Sequence, residues 1–157
     1  MAIKRLLCEM KDIMKDPNYF YSCFPDENNL MIWNFSIIGP PDTLYEGGIF
    51  NGIIQFTDAY PNKPPVVTFK NILHPNIYNN GIVCISILHE GSDIYGYEKD
   101  SERWNPSHSI NSIMLSIISM LSAPNFDSPA NMEASLLWKN TPLEYEKKIY
   151  KMVSISQ

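Results

Sequence analysis

The sequence predicts an α+β domain: one helix at the start, a four-stranded antiparallel meander sheet in the middle, and three helices at the end. Three observations carry that expectation. Apolar residues recur at three- and four-residue spacing before Asp16-Pro17 and again after residue 107. Between residues 19 and 69 the apolar segments are short, aromatic and β-branched. Short turns join those segments, with no helix between them, as an antiparallel meander requires.

The first helix rests on Ile3, Leu6, Leu7, Met10, Ile13 and Met14, a stripe that reads as core packing, and Asp16-Pro17 stops it. Lys4, Arg5, Lys11 and Lys15 form a basic face available for docking or plain solvation. Strands are expected over Tyr19 to Phe24, Leu30 to Ile38, Ile49 to Thr57 and Val66 to Phe69. Asp26-Glu27-Asn28-Asn29 and Gly39-Pro40-Pro41-Asp42 supply turns, and Tyr60-Pro61-Asn62-Lys63-Pro64-Pro65 is a proline-stiffened connection. The pattern is irregular from Phe69 to residue 107. A helix capped by Ser107 or Ser109 then places Ile110, Ile113, Met114, Ile117 and Leu121 on one face, and Ala123-Pro124 ends it. Ser128-Pro129 is expected to open the next helix with proline in its first turn. Thr141-Pro142-Leu143-Glu144 reads as a capping box for a last helix running toward Val153, with Lys147, Lys148 and Lys151 outward.

The 157 residues fit a single domain with a sizeable core. A net charge of −5 argues against nucleic-acid binding. Charge is segregated, basic in the first helix and acidic from Glu90 to Glu102, which suits protein partners. Cys8, Cys23 and Cys84 form no CxxC pair, which speaks against a disulfide framework and a zinc site and for a reducing compartment. The first ten residues are too charged for a signal peptide, whose apolar core runs about 7–15 residues. Ile110 to Leu121 is shorter than the roughly 20 residues that span a bilayer, so direct membrane insertion is not expected. No phosphate-cradling Gly-Lys-Ser/Thr motif or metal-ligand cluster is present, so neither ATP nor a metal cofactor is expected.

The chemistry concentrates between His74 and Trp104. Cys84 is the candidate nucleophile, since a thiol both attacks and leaves well in acyl exchange. The alternative is a small buried hydrophobe. Asn76 either donates to an oxyanion, a role worth about 2.7–4 kcal/mol, or braces its own loop. His74 begins a proline turn with Pro75 and reads as structural. No general base adjoins Cys84 in the sequence. The polar segment from about His89 to Arg103, with Gly91 and Gly96, is either a solvated loop or a lid that excludes water, attracts an amine or contacts a partner.

Lys4-Arg5, Gly39-Pro40 before Tyr45-Glu46-Gly47-Gly48, Tyr60-Pro61 with Pro64-Pro65, His74-Pro75-Asn76, Cys84, Trp104-Asn105-Pro106 and Pro124-Asn125 stand in one order along nearly the whole chain. In that order they resemble the ubiquitin-conjugating enzymes. The longer gap between Cys84 and Trp104, with Glu90, Asp93, Glu98, Asp100 and Glu102, resembles the G-type subgroup, which carries an acidic insertion after the active-site cysteine. So do Ile85 to Gly91 and Tyr95 to Lys99.

The resemblance implies a single catalytic core over residues 1–157, with the acidic insertion at about 89–103. It implies ubiquitin held as a thioester on Cys84 and passed to a lysine of a substrate or of ubiquitin, building chains for protein degradation. The implied partners are ubiquitin, the activating enzyme, a RING-type ligase and substrate proteins. The implied location is cytoplasmic, with the nucleus or a partner-held place at the endoplasmic reticulum surface as further ones. Arg5, Asn62, Pro106 and Ser107 fall at ligase-contact positions, although many relatives have a bulky apolar residue where Asn62 stands. Relatives often assign lysine activation to an aspartate where this chain has Ser128, and Ala123 is also neutral here. Asp127, Asp93 and Glu98 are therefore the candidate acids. Three rivals remain: a non-catalytic binding module of the same fold, a carrier of another ubiquitin-like modifier, and a cysteine hydrolase, which would need His74 or His89 beside the thiol.

Overall fold

A computed structural model describes residues 1–157. The order of elements is α1 (Ala2–Lys15), β1 (Tyr21–Pro25), β2 (Ile32–Ile38), β3 (Ile49–Gln55), β4 (Val66–Phe69), α2 (Ile110–Ser122), α3 (Met132–Asn140) and α4 (Pro142–Ser156). The strands pair antiparallel in the order β1-β2-β3-β4, the meander expected of short turns. Alternation sends Tyr21, Cys23, Trp33, Phe35, Ile37, Phe50 and Ile54 inward and leaves Ser22, Asn34, Asn51 and Gln55 outward. Gly52 interrupts the inward row on β3. A Cβ there would lie 2.4 Å from the Phe35 ring and 2.4 Å from the Thr68 carbonyl, so this glycine lets the Phe35 ring lie across the sheet.

The stripe on α1 is only partly core. Leu6 is buried and Met10 and Ile13 pack at the core edge, but Ile3, Leu7 and Met14 are exposed. The buried face is rotated toward Glu9, which the sequence pattern passed over. Its carboxylate accepts from the Tyr60 hydroxyl at 2.5 Å, from Arg5 Nε at 2.6 Å and from the backbone N–H of Ile110 at 2.7 Å. A buried carboxylate needs such partners, and these three draw α1, the proline-rich loop and the start of α2 together.

The last three helices differ from expectation at their starts. Ser109, not Ser107, caps α2 by accepting from Ser112 N–H. Pro129 does not open α3. The Pro75 carbonyl accepts from Ala130 and Asn131 N–H at 2.8 and 2.9 Å, which holds residues 128–131 outside the helix, and Asn131 becomes the cap through Ala134 N–H at 3.0 Å. The capping box at Thr141 does not close: Thr141 turns its hydroxyl back to Leu137 O, leaving α4 with Pro142 at its first turn and no side-chain cap. That helix continues past Val153 to Ser156.

The irregular stretch carries the local structure that shapes the site. Bridges Thr68↔Ile82 and Ile77↔Val83 fold it against β4. The turn between their arms needs Gly81, with φ of 90° and a would-be Cβ 2.1 Å from Phe69 O. Short 3-10 helices follow at Ser86–Leu88 and Asp100–Glu102. No helix is long and apolar enough to cross a membrane.

Candidate active site

Residues 73–76 form the floor of the site. The hydroxyls of Tyr45 and Tyr145 converge on Leu73 O at 2.7 and 2.9 Å. His74 is wholly buried, with Nδ1 accepting from Asn76 N–H at 3.0 Å. Its other nitrogen must then carry the proton, so Nε2–H donates to Met120 O at 3.0 Å, near the end of α2. Burial pushes the imidazole down to about 4. His74 is a neutral brace and does not touch Cys84.

Asn76 makes a two-way clamp. Its Nδ2 donates to Asn125 O at 2.7 Å, and its Oδ1 accepts from Asn125 N–H at 2.8 Å. The loop-bracing role is therefore present in the geometry. One N–H of the amide remains unengaged, and Asn76 lines a cavity of about 260 Å³ together with Cys84, His89, Glu98, Asn125 and Ser128.

The three thiols have different surroundings. Cys23 points into the core, where burial and the charge of Glu9 push it up to about 12. Cys8 is exposed on α1. Cys84 is half-buried in the cavity wall, its backbone N–H donating to Asn76 O at 2.9 Å. Burial raises its thiol above the ordinary value; the Tyr78 hydroxyl opposes that rise and the Glu98 charge adds to it.

The acidic segment is internally bonded rather than loosely solvated. Asp93 accepts from the N–H groups of Tyr95, Tyr97 and Glu98 at 2.9, 2.6 and 2.9 Å. These bonds, that from Tyr95 foremost, hold its carboxyl below the usual range. Arg103 reaches Gly91 O at 2.6 Å and Glu90 O at 2.9 Å. It also pairs with Glu98. The Glu98 carboxylate further accepts from Ser86 Oγ at 2.7 Å and from His89 Nδ1 at 3.0 Å. Burial pushes the Glu98 carboxyl up, but the hydrogen bonds from His89 and Ser86, with the Arg103 charge, outweigh it, and it lies below its usual value.

No general base adjoins Cys84 in the sequence, where His89 enters only as what a hydrolase would need; the structure brings that imidazole, and not His74, beside the thiol. The 3-10 helix after Cys84 turns the chain back, so that His89 Nε2 stands 3.5 Å from Cys84 Sγ. The signal available in the sequence was a histidine five residues after the cysteine with a short turn between them. Beside the cavity runs a groove of about 710 Å³ whose walls include His89, Asp93, Glu98, Asp127 and Ser128. Asp93 and Asp127 thus reach the groove, but Asp93 is engaged by its own loop. Neither the Asp127 nor the Ser128 side chain forms a hydrogen bond.

Arg5, Pro106 and Ser107 meet on another surface. Arg5 Nη1 and Nη2 donate to Pro106 O and His108 O at 3.0 and 2.7 Å, so every nitrogen of this guanidinium is engaged inside the molecule. Trp104 Nε1 donates to Pro61 O at 2.8 Å, joining this loop to the one that exposes Asn62. Trp104 itself is buried as a packing residue.

Residues 5–153 match the family model described as ubiquitin-conjugating enzyme. The chain is 53% identical over 152 residues to ubiquitin-conjugating enzyme E2 14 of Arabidopsis thaliana, covering 95% of this chain and 91% of the relative. It is equally similar, at 53% over 152 residues, to E2 7 of the same plant, with 95% and 92% covered. A probable ubiquitin-conjugating enzyme E2 7 of Caenorhabditis elegans is 45% identical over 159 residues, with 100% and 96% covered.

The environment of His74 generates a stability prediction. Its folded-state value, about 4, lies below the ordinary 6.5, so the unfolded chain binds the extra proton between those values. The contribution is complete above pH 6.5 and is lost as pH falls toward 4, amounting to about 3 kcal/mol. Urea unfolding of wild type and His74→Gln across this window should show a steeper loss on acidification in the wild type. Parallel slopes would contradict the assignment.

Proposed function

The chain belongs to the ubiquitin-conjugating enzyme family, and from that premise we propose that Cys84 is the residue that carries ubiquitin. The family's activity is a transferase reaction through a cysteine thioester. The supporting observation is that Cys84 combines partial exposure with a place in the cavity wall beside Asn76, whereas Cys23 is buried and Cys8 lies on the outer face of α1.

In loading, the Cys84 sulfur attacks the carbonyl of the thioester borne by the activating enzyme. A new C–S bond forms, the old one breaks, and the activating enzyme's thiol is released. ATP is consumed in that enzyme, upstream of this chain. In discharge, a neutral lysine amine attacks the thioester on Cys84, an amide C–N bond forms, and the Cys84 sulfur leaves. The Asn76 amide, one N–H still free, donates to the oxyanion of the tetrahedral intermediate while its other bonds hold the Asn125 loop.

The acceptors are lysines of substrate proteins or of ubiquitin, and the product is a chain that marks proteins for degradation. A RING-type ligase docks across Arg5, Asn62, Pro106 and Ser107. Arg5 acts there by shaping the loop at Pro106 rather than by offering a free cation. The acidic segment supports chain building because its carboxylates and the groove beside it face an arriving amine.

Incubation with ubiquitin, activating enzyme and ATP, followed by non-reducing electrophoresis, should give one thiol-sensitive adduct. It should vanish in Cys84→Ala and persist in Cys8→Ala and Cys23→Ala; an adduct that survives Cys84→Ala would assign the carrier elsewhere. Asn76→Ala should load but discharge to lysine about 100- to 1,000-fold more slowly. Equal single-turnover rates would remove the oxyanion role. Deleting residues 91–101 should lower the yield of ubiquitin chains far more than the rate of loading, and an unchanged yield would return that segment to a passive surface loop.

A further inference from the structure

The loop that follows α2 is held at two neighbouring residues. At Asn125 the Asn76 amide grips the backbone through both N–H and carbonyl. At Phe126 the ring packs edge-on against Trp138 of α3, with centroids 5.6 Å apart and planes at 72°. Lys139 Nζ stands 5.2 Å from the centroid of the same ring. The Asn125 side chain accepts from Asp127 N–H at 2.9 Å, closing a tight turn with Phe126 at its centre. Asn125, Asp127 and Ser128 are exposed, whereas Phe126, the one aromatic residue between Ser122 and Ser128, is half-buried.

We infer that Phe126 is a positioning residue for discharge. Its anchorage on Trp138 and Lys139 fixes the loop, and the loop's Asn125 backbone keeps the Asn76 amide aimed at the oxyanion. This inference rests on Cys84 as the ubiquitin carrier and on Asn76 as the oxyanion donor. Phe126 lines neither the cavity nor the groove beside Cys84, so it acts through Asn125 and not on the reacting atoms.

An amide side chain whose two gripping bonds go to one residue of a loop is only as fixed as that loop. Exposed loops with few apolar contacts open locally at little cost. Here the missing contacts come from one ring. Trp138 is a firm anchor because its other aromatic neighbours belong to the floor of the site: its ring lies 4.6 Å from that of Tyr145 and 6.4 Å from that of His74. The Tyr145 hydroxyl donates to Leu73 O, and His74 Nδ1 accepts from Asn76 N–H. The stack from Phe126 through Trp138 therefore ties the loop to the same floor that carries Asn76. With both ends of the clamp on one support, the free N–H of the Asn76 amide keeps its direction while the tetrahedral intermediate forms and breaks down.

Wild type, Phe126→Ala, Phe126→Tyr, Asn76→Ala and the double variant are loaded with ubiquitin, separated from activating enzyme and ATP, and mixed with free lysine in single-turnover discharge. Free lysine removes any contribution from contacts with an acceptor protein. Phe126→Ala should discharge about 2- to 10-fold more slowly than wild type. Phe126→Tyr keeps the ring and should match wild type. In the Asn76→Ala background, Phe126→Ala should slow discharge no further, because the group it positions is gone. A general loosening of the fold would instead slow both backgrounds alike. Hydrogen exchange supplies a readout apart from activity: the Asn125 N–H, held by Asn76 Oδ1, should exchange faster in Phe126→Ala. Wild-type discharge by Phe126→Ala, equal slowing in both backgrounds, or unchanged exchange at Asn125 would overturn the inference. Failure of the readings beneath it looks different: the wild type would form no adduct at Cys84, or Asn76→Ala alone would discharge at the wild-type rate.

Discussion

Four consecutive residues, Leu73 to Asn76, make the contacts on which the site depends. The Leu73 carbonyl receives hydroxyls from the loop before β3 and from α4. His74 ties to the last turn of α2, and the Pro75 carbonyl holds the approach to α3. Asn76 clamps the 125 loop with its side chain and receives the Cys84 N–H on its carbonyl. A segment lacking regular secondary structure leaves backbone polar groups that must find partners when buried. Here those partners come from the loop before β3, from α2 and α4, and from the segment between α2 and α3. The candidate nucleophile is therefore positioned by a rigid floor, and proline at the centre of that floor removes a donor that would have none.

The floor also explains the division of labour among polar side chains. His74 sits deepest, stays neutral and carries no chemistry, because burial penalises its charged form more than the Met120 carbonyl can repay. His89 lies at the cavity surface with a carboxylate on one nitrogen and a thiol on the other. The two histidines differ in the environment of the ring, which no property of the residue type encodes.

The meander, the three late helices and the cluster around Cys84 were legible because they rest on local rules: period-two alternation, proline and glycine punctuation, and motif order. The misreadings share one cause, a tertiary contact overriding a local signal. Pro129 lost its helix start to the Pro75 carbonyl, and the Thr141 hydroxyl bonded backward to Leu137. The α1 stripe was read from hydrophobicity alone, while a buried Glu9 with three donors turned the helix. His89 stands in the sequence only as what a hydrolase would need beside the thiol, because its proximity to Cys84 is made by a single 3-10 turn and by Glu98 nine residues on, neither of which leaves a periodic mark.

The acidic insertion gains its meaning from how its charges are spent. Asp93 neutralises the backbone N–H groups of its own turn, and Glu98 is matched by Arg103, whose other nitrogens bind Glu90 O and Gly91 O. Those two carboxylates build the segment rather than project a field. One consequence is a fixed His89 ring, bonded to a carboxylate that Ser86 and Arg103 also hold, on a residue whose backbone N–H donates to Asp93. A segment rich in acids thus spends part of its charge on its own fold and holds one imidazole beside Cys84.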